Sequence, residues 1–130
     1  MKKWLTIATI IGFILGVLLT HLASRHYLNL QSVAAYAYGV ELMEKGNIDK
    51  AVSVLNQSIG INPRNYQPYI TLGKIYEKQN KIEISLVFYK KALEICGGET
   101  SLELADRKFI EDRIQQISVR EKTVKGDGVK

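Results

Sequence analysis

The side chains with the widest chemical reach in this chain are Cys96, His21 and His26. A haem or metal centre needs further ligands at ligand spacing, and neither histidine has a cysteine or carboxylate so placed. Both read as interfacial histidines. Cys96 falls at the C-terminal end of an apolar helical pattern, where the helix dipole disfavours a thiolate, so an inert, buried or partly buried thiol is expected. A single cysteine makes no internal disulfide and leaves the redox compartment open. No nucleophile–base–acid set and no Gly-rich phosphate loop stands out, and Gly97-Gly98 reads as a helix terminus. The expectation is therefore no catalytic residue, no cofactor and no metal, which leaves binding.

Binding depends on the elements that hold the surface, and the chain has two unlike parts. The average composition is ordinary, 46% hydrophobic and 24% charged, but residues 4–20 carry no charge at all. Net charge is +5, and setting Lys2 and Lys3 aside leaves +3 for the rest. That is too mild and too scattered to argue for nucleic acid. Trp4 to Leu22 makes about 28 Å of helix at about 1.5 Å per residue, against a hydrocarbon core of about 30 Å. Residues 1–24 thus read as a transmembrane signal-anchor. A cleavable signal peptide is the rival reading. It is disfavoured by the length of the apolar run and by the lack of an A-x-A pattern near Ala23 and Ser24. Lys2 and Lys3 outweigh Arg25, so the N-terminus is expected in the cytoplasm and the remainder outside it, in the periplasm if bacterial. Trp4 and Tyr27 sit near the two ends, as interfacial aromatics do. Ala8, Gly12 and Gly16 put small residues on one helix face, a pattern that permits packing against a second copy or another span.

Residues 25–31 read as a short linker. Beyond it, one skeleton of residue types appears twice. Gly39 is matched by Gly73, a period of 34, and Tyr38 by Leu72, Leu42 by Tyr76, Ile48 by Ile82 and Leu55 by Tyr89. Such a period means one supersecondary unit used repeatedly. Apolar residues at three-and-four spacing run through Val33–Met43 and again through Ile48–Ile59, with a break at Lys45-Gly46-Asn47. Asn47 is placed to cap the second helix, and Asn62-Pro63 ends the unit. Residues 66–99 repeat the layout, with Pro68 in a first turn and Gly97-Gly98 closing the last helix. Thr100 and Glu103 then form a capping box. The helix that follows, to about Val119, carries an apolar stripe of Leu102, Ala105, Phe109, Ile110, Ile114 and Ile117. Its charges, Asp106 and Arg113 among them, read as a solvated face. Residues 120–130 read as a disordered tail.

The set Tyr38-Gly39, Leu42, Gly46, Ala51, Leu55 and Pro63, with Leu72-Gly73, Tyr76, Ile82, Tyr89 and Ala92, resembles the tetratricopeptide repeat family. The resemblance covers about half the chain, 32–65 and 66–99. It implies a short right-handed α-solenoid of two helix hairpins with a capping amphipathic helix over 100–119, which with the N-terminal transmembrane helix makes the expected fold all-α. Ser85 and Ser58 stand where the pattern has alanine. The resemblance also implies a groove for a protein or peptide partner, lined by Val33, Tyr36, Val40, Met43 and Glu44 in the first unit. The second unit supplies Gln67, Ile70, Lys74, Glu77 and Lys78. Tyr36 and Val40 are equally open to a bound peptide and to cover by the 25–31 segment or a dimer mate. Tyr36, Val40 and Thr71 occupy the positions where relatives clamp the carboxylate tails of chaperones, and none supplies such a clamp. The expected role is a membrane-anchored scaffold or adaptor assembling a membrane-associated complex. An accessory subunit of a larger membrane enzyme or secretion machine is an alternative, and a secreted soluble adaptor after signal cleavage another.

Overall fold

The structure, a computed structural model, describes residues 2–126, with side chains over 7–122. Five helices follow in order: α1 (Lys2–Glu44), α2 (Ile48–Ile61), α3 (Gln67–Lys78), α4 (Ile82–Ile95) and α5 (Ser101–Gly126). The described residues are all helix and short turn. The placement of Trp4 lies outside the described side chains.

α1 is one unbroken helix of 43 residues. The segment 25–31, expected as a linker, is helical and joins the apolar run to the first repeat without a break. The local reason is plain: Arg25 to Gln31 contains neither proline nor glycine, so nothing in it opposes helix propagation. Among the described residues, the apolar part of α1 is exposed along its length. Phe13 is 74% exposed and Leu19 62%, which no core helix tolerates.

Two helix hairpins follow, α1–α2 and α3–α4. Their antiparallel register is fixed by pairs across each hairpin. Asn62 Nδ2 donates to Asn29 Oδ1 at 3.1 Å, and Ser58 Oγ donates to the Ser32 carbonyl at 2.8 Å. Nearer the turn, Gly39 faces Leu55, whose side chain stands 2.9 Å from where a Cβ on Gly39 would lie. Gly73 meets the ring of Tyr89 in the same way at 2.8 Å. The two matched glycines thus mark crossings where a side chain would not fit without a shift. The serines that replace alanine are buried and satisfied. Ser85 Oγ donates to the Gly73 carbonyl at 2.9 Å, and Ser58 shares a buried contact with Ser32 Oγ at 3.0 Å.

The turns follow the sequence closely. Gly46 has φ +80° and Asn80 φ +60°, the left-handed geometry each tight turn needs. Asn47 stands at the N-cap of α2, but its side chain makes no capping bond. Of the glycine pair, Gly98 is the left-handed residue, at φ +74°. The capping box forms: Glu103 N donates to Thr100 Oγ1 at 3.1 Å, and Glu103 Oε2 accepts from Thr100 N at 3.2 Å.

α5 closes the array through a narrower seam than the sequence suggests. Ile110 and Ile117 are buried with Tyr69, Ile70, Tyr89 and Ala92, whereas Leu102 stays 67% exposed. The helix also runs past Val119 to Gly126, so residues 120–126, expected to be disordered, are helical. Arg120 to Lys125 holds no helix breaker, and only residues 127–130 of the expected tail lie outside the description.

Candidate peptide-binding groove

The groove positions divide into three groups. Met43, Lys74, Glu77 and Lys78 come together in one cleft of about 640 Å³. Ile70 is core, 3% exposed, and Gln67 is held by hydrogen bonds. Val33, Tyr36, Val40 and Glu44 lie outside the cleft lining. Val33 and Glu44 are exposed there, and Val40 is half-buried. Tyr36 packs against the Leu55–Leu72–Ile75 cluster, and its hydroxyl reaches Gln67 Oε1 at 3.5 Å. It is half-buried, in contact with both repeats. Thr71 is buried, with its hydroxyl on the Gln67 carbonyl at 3.2 Å. In the span, Gly12 and Gly16 have nothing within 4 Å of an added Cβ.

The cleft is built where the ends of α1 and α3, the start of α4 and the middle of α5 meet. Ile75 is 3% exposed and forms part of its apolar floor with Met43, Ile82 and Phe109. Lys74 Nζ lies 4.7 Å above the Phe109 ring, a cation–π contact that holds the ammonium at the edge of the cleft. Lys78 and Arg120 line it as well. Glu77 is the acidic member, and it is spoken for twice. It accepts the Tyr89 hydroxyl at 3.1 Å and pairs with Arg113 of α5. Burial, and after it the carboxylate of Glu77, hold the Tyr89 phenol well above its ordinary pKa, so it remains a donor. With Glu77 neutralised by Arg113, the lysines leave the cleft with a positive field.

α5 contributes more than its apolar stripe. Asp106 Oδ2 accepts from Tyr66 Oη at 3.0 Å and Gln67 Nε2 at 2.8 Å. Asp106 and Arg113, expected on a solvated face, thus tie α5 to the second repeat. The helical spacing of 106, 109, 110, 113 and 117 already put them on the same face as Ile110 and Ile117. Their polarity concealed the role of the two charges. Phe109, Ile75 and Ile82 are likewise lining residues beyond the expected groove.

Cys96 is 1% exposed, its Sγ 3.4 Å from the Glu103 carbonyl. Burial pushes its thiol pKa up, away from a reactive thiolate. Among the described residues no three His, Cys, Asp or Glu side chains are grouped to hold a metal ion.

Comparison with known structures shows the same fold. A tetratricopeptide repeat domain protein from Salinibacter ruber, solved by NMR, superposes with a TM-score of 0.59 at 20% identity. The match covers 66% of this chain and 85% of that one. The crystal structure of a tetratricopeptide repeat domain protein from the same organism gives 0.58 at 20% identity, over 67% of this chain and 96% of that one. Two curated proteins match in sequence. Protein high chlorophyll fluorescent 107 of Arabidopsis thaliana is 30% identical over 67 residues, 52% of this chain. The mRNA 3′-end-processing protein RNA14 of Debaryomyces hansenii is 31% identical over 78 residues, 60% of this chain. The matched stretch is only 10% of the length of either protein. The family described as the CadC C-terminal domain matches residues 15–123, most of the chain from the middle of the apolar run to the last turns of α5, and the chain belongs to that family.

Proposed function

We propose that this protein is a membrane-anchored adaptor that holds an acidic peptide with an apolar anchor, supplied by a protein partner, in the cleft between α1, α3 and α5. The cleft carries the reading: an apolar floor of Met43, Ile75 and Phe109 lies beside exposed Lys74 and Lys78. A cationic edge beside an apolar pocket suits a segment with one large apolar side chain flanked by carboxylates. The repeat fold is of a kind that holds protein partners and works by binding. Anchoring is supported by α1, which over its apolar part is long and apolar enough to cross a bilayer and, among the described residues, is left uncovered. The flanking charge favours an N-terminus in the cytoplasm and the repeats outside it.

The test uses the full chain in nanodiscs and fluorescent peptides read by anisotropy. A Glu-rich peptide with a single Phe is expected to bind, and Lys74→Glu/Lys78→Glu to weaken it by about tenfold with the helical content unchanged. Equal affinity for a Lys-rich peptide with the same Phe, or no change in the double variant, sinks the reading.

The open face at Gly12 and Gly16 favours a second reading, in which the span packs against another span as a subunit of a membrane assembly. Gly12→Leu/Gly16→Leu is then expected to dissociate the assembly purified in mild detergent. An unchanged assembly with the double variant counts against it.

A further inference from the structure

The geometry points to a second site, at the other end of the repeat from the peptide cleft: a cradle for the phosphate of an anionic phospholipid headgroup, formed by Arg25 of α1 and Arg64 of the α2–α3 turn. This rests on the proposal that residues 4–22 span the membrane. A cavity of about 690 Å³ separates the two elements, lined by Arg25, His26 and Asn29 on one side and Asn62, Pro63 and Arg64 on the other. Among the described residues, no carboxylate lines it.

The position of this cavity follows from helix geometry. α1 leaves the span without a break, so each residue after Leu22 climbs about 1.5 Å. Arg25 therefore sits about 4–5 Å above the hydrocarbon edge, inside a headgroup layer about 5–7 Å thick on each face. α2 runs antiparallel to α1, which returns its C-terminal end toward the bilayer. The Asn62–Asn29 hydrogen bond at 3.1 Å fixes that end at the height of Asn29, about 10 Å above the same edge. Arg64 is two residues further on and exposed, and an arginine side chain is long enough to reach down to an interface from that height. The turn is ordered before any lipid arrives, since the Arg64 backbone N–H donates to Asn62 Oδ1 at 3.1 Å. Arg25 and Arg64 line one cavity near headgroup depth, and guanidinium suits phosphate geometrically as well as in charge. The peptide cleft lies at the opposite end of the hairpins and takes no part.

The experiment reconstitutes the full chain in nanodiscs of equal phosphatidylcholine and phosphatidylglycerol. Lipids retained after gentle release are counted by native mass spectrometry. Phosphatidylglycerol is expected to dominate among retained lipids, and Arg25→Gln/Arg64→Gln to cut that preference about tenfold. Lys50→Gln/Lys90→Gln, with the same charge change elsewhere, is expected to leave it intact. Inorganic phosphate added to phosphatidylcholine nanodiscs is expected to give no thermal stabilisation, which separates a membrane lipid from a soluble anion. Equal retention of both lipids by the wild type, or equal losses in the two double variants, overturns the cradle alone. Release of the chain from membranes by alkaline carbonate overturns the cradle and the span together.

Discussion

At the scale of single residues, the repeat is held by how little room its crossing points leave. A Cβ on Gly73 would stand 2.8 Å from the Tyr89 ring. That ring cannot swing aside, because it is fully buried and its hydroxyl is tied to Glu77. Gly73→Ala is therefore expected to destabilise by about 1–3 kcal/mol through overpacking, despite alanine's better helix propensity. Gly60 is the control. It is exposed in α2 with nothing within 4 Å of an added Cβ. Gly60→Ala is expected to stabilise by up to about 1 kcal/mol, and urea unfolding of the two variants separates the cases. The 34-residue spacing made both crossing glycines legible in the sequence. The hydrogen bonds of Ser58 and Ser85 were not, because a serine replacing alanine announces its size but not its acceptor. Cys96 belongs at this scale too: its thiol should react with an aromatic disulfide reagent only on unfolding.

At the scale of elements, α5 decides whether two repeats suffice. Arrays of this type need stacked neighbours to bury their faces, and a terminal element to cover the last one. Ile110 of α5 is fully buried against the second repeat. Ile110→Ala is expected to cost about 2–5 kcal/mol and to loosen α5 before the hairpins, seen as loss of hydrogen-exchange protection beginning in 101–126. Polar ties add a pH dependence. Burial, with Asp106 adding to it, pushes the Tyr66 phenol up to about 12, and an unfolded tyrosine ionises near pH 10. As pH rises past about 10, the unfolded chain sheds a proton that the folded chain keeps. Stability is thus full below about pH 10 and falls toward pH 12. Urea titrations of wild type and Tyr66→Phe at pH 9 and 11 check this, with a shallower fall expected in the variant. The capping box and the existence of α5 were legible. Its inward-facing Asp106 and Arg113 were masked by their charge, since a charged residue beside an apolar stripe reads as solvated until its partner helix is placed. Residues 25–31 misled for a related reason: a change in composition from apolar to polar marks a change of solvent, and it need not mark a change of backbone.

At the scale of the whole molecule, that unbroken backbone turns a tether into a post. A flexible linker would let the repeats lie at any angle on the bilayer. With α1 crossing the bilayer as proposed, its continuity ties their height to the span, since the same helix is also the first helix of the first repeat. If the span ends at Leu22, Met43 at the peptide cleft stands about 30 Å above the hydrocarbon edge, while the α2–α3 turn stays near the headgroups. The cleft would then face a partner well clear of the lipid, with the basic turn beneath it. Spin labels at Met43→Cys and Pro63→Cys, each with Cys96→Ser in the full chain in nanodiscs, test the arrangement. Label 43 is expected to be open to a water-soluble relaxation agent and remote from a headgroup-bound one, and label 63 to show the reverse order of proximity. Placing prolines at Leu28 and Asn29 removes backbone donors and clashes with the preceding turn, which breaks or kinks the helix. That variant is expected to lose the difference between the two labels while the far-UV signal of the hairpins persists. If wild type and proline variant give the same label depths, α1 is not what sets the height of the repeat, and the post is reduced to a tether.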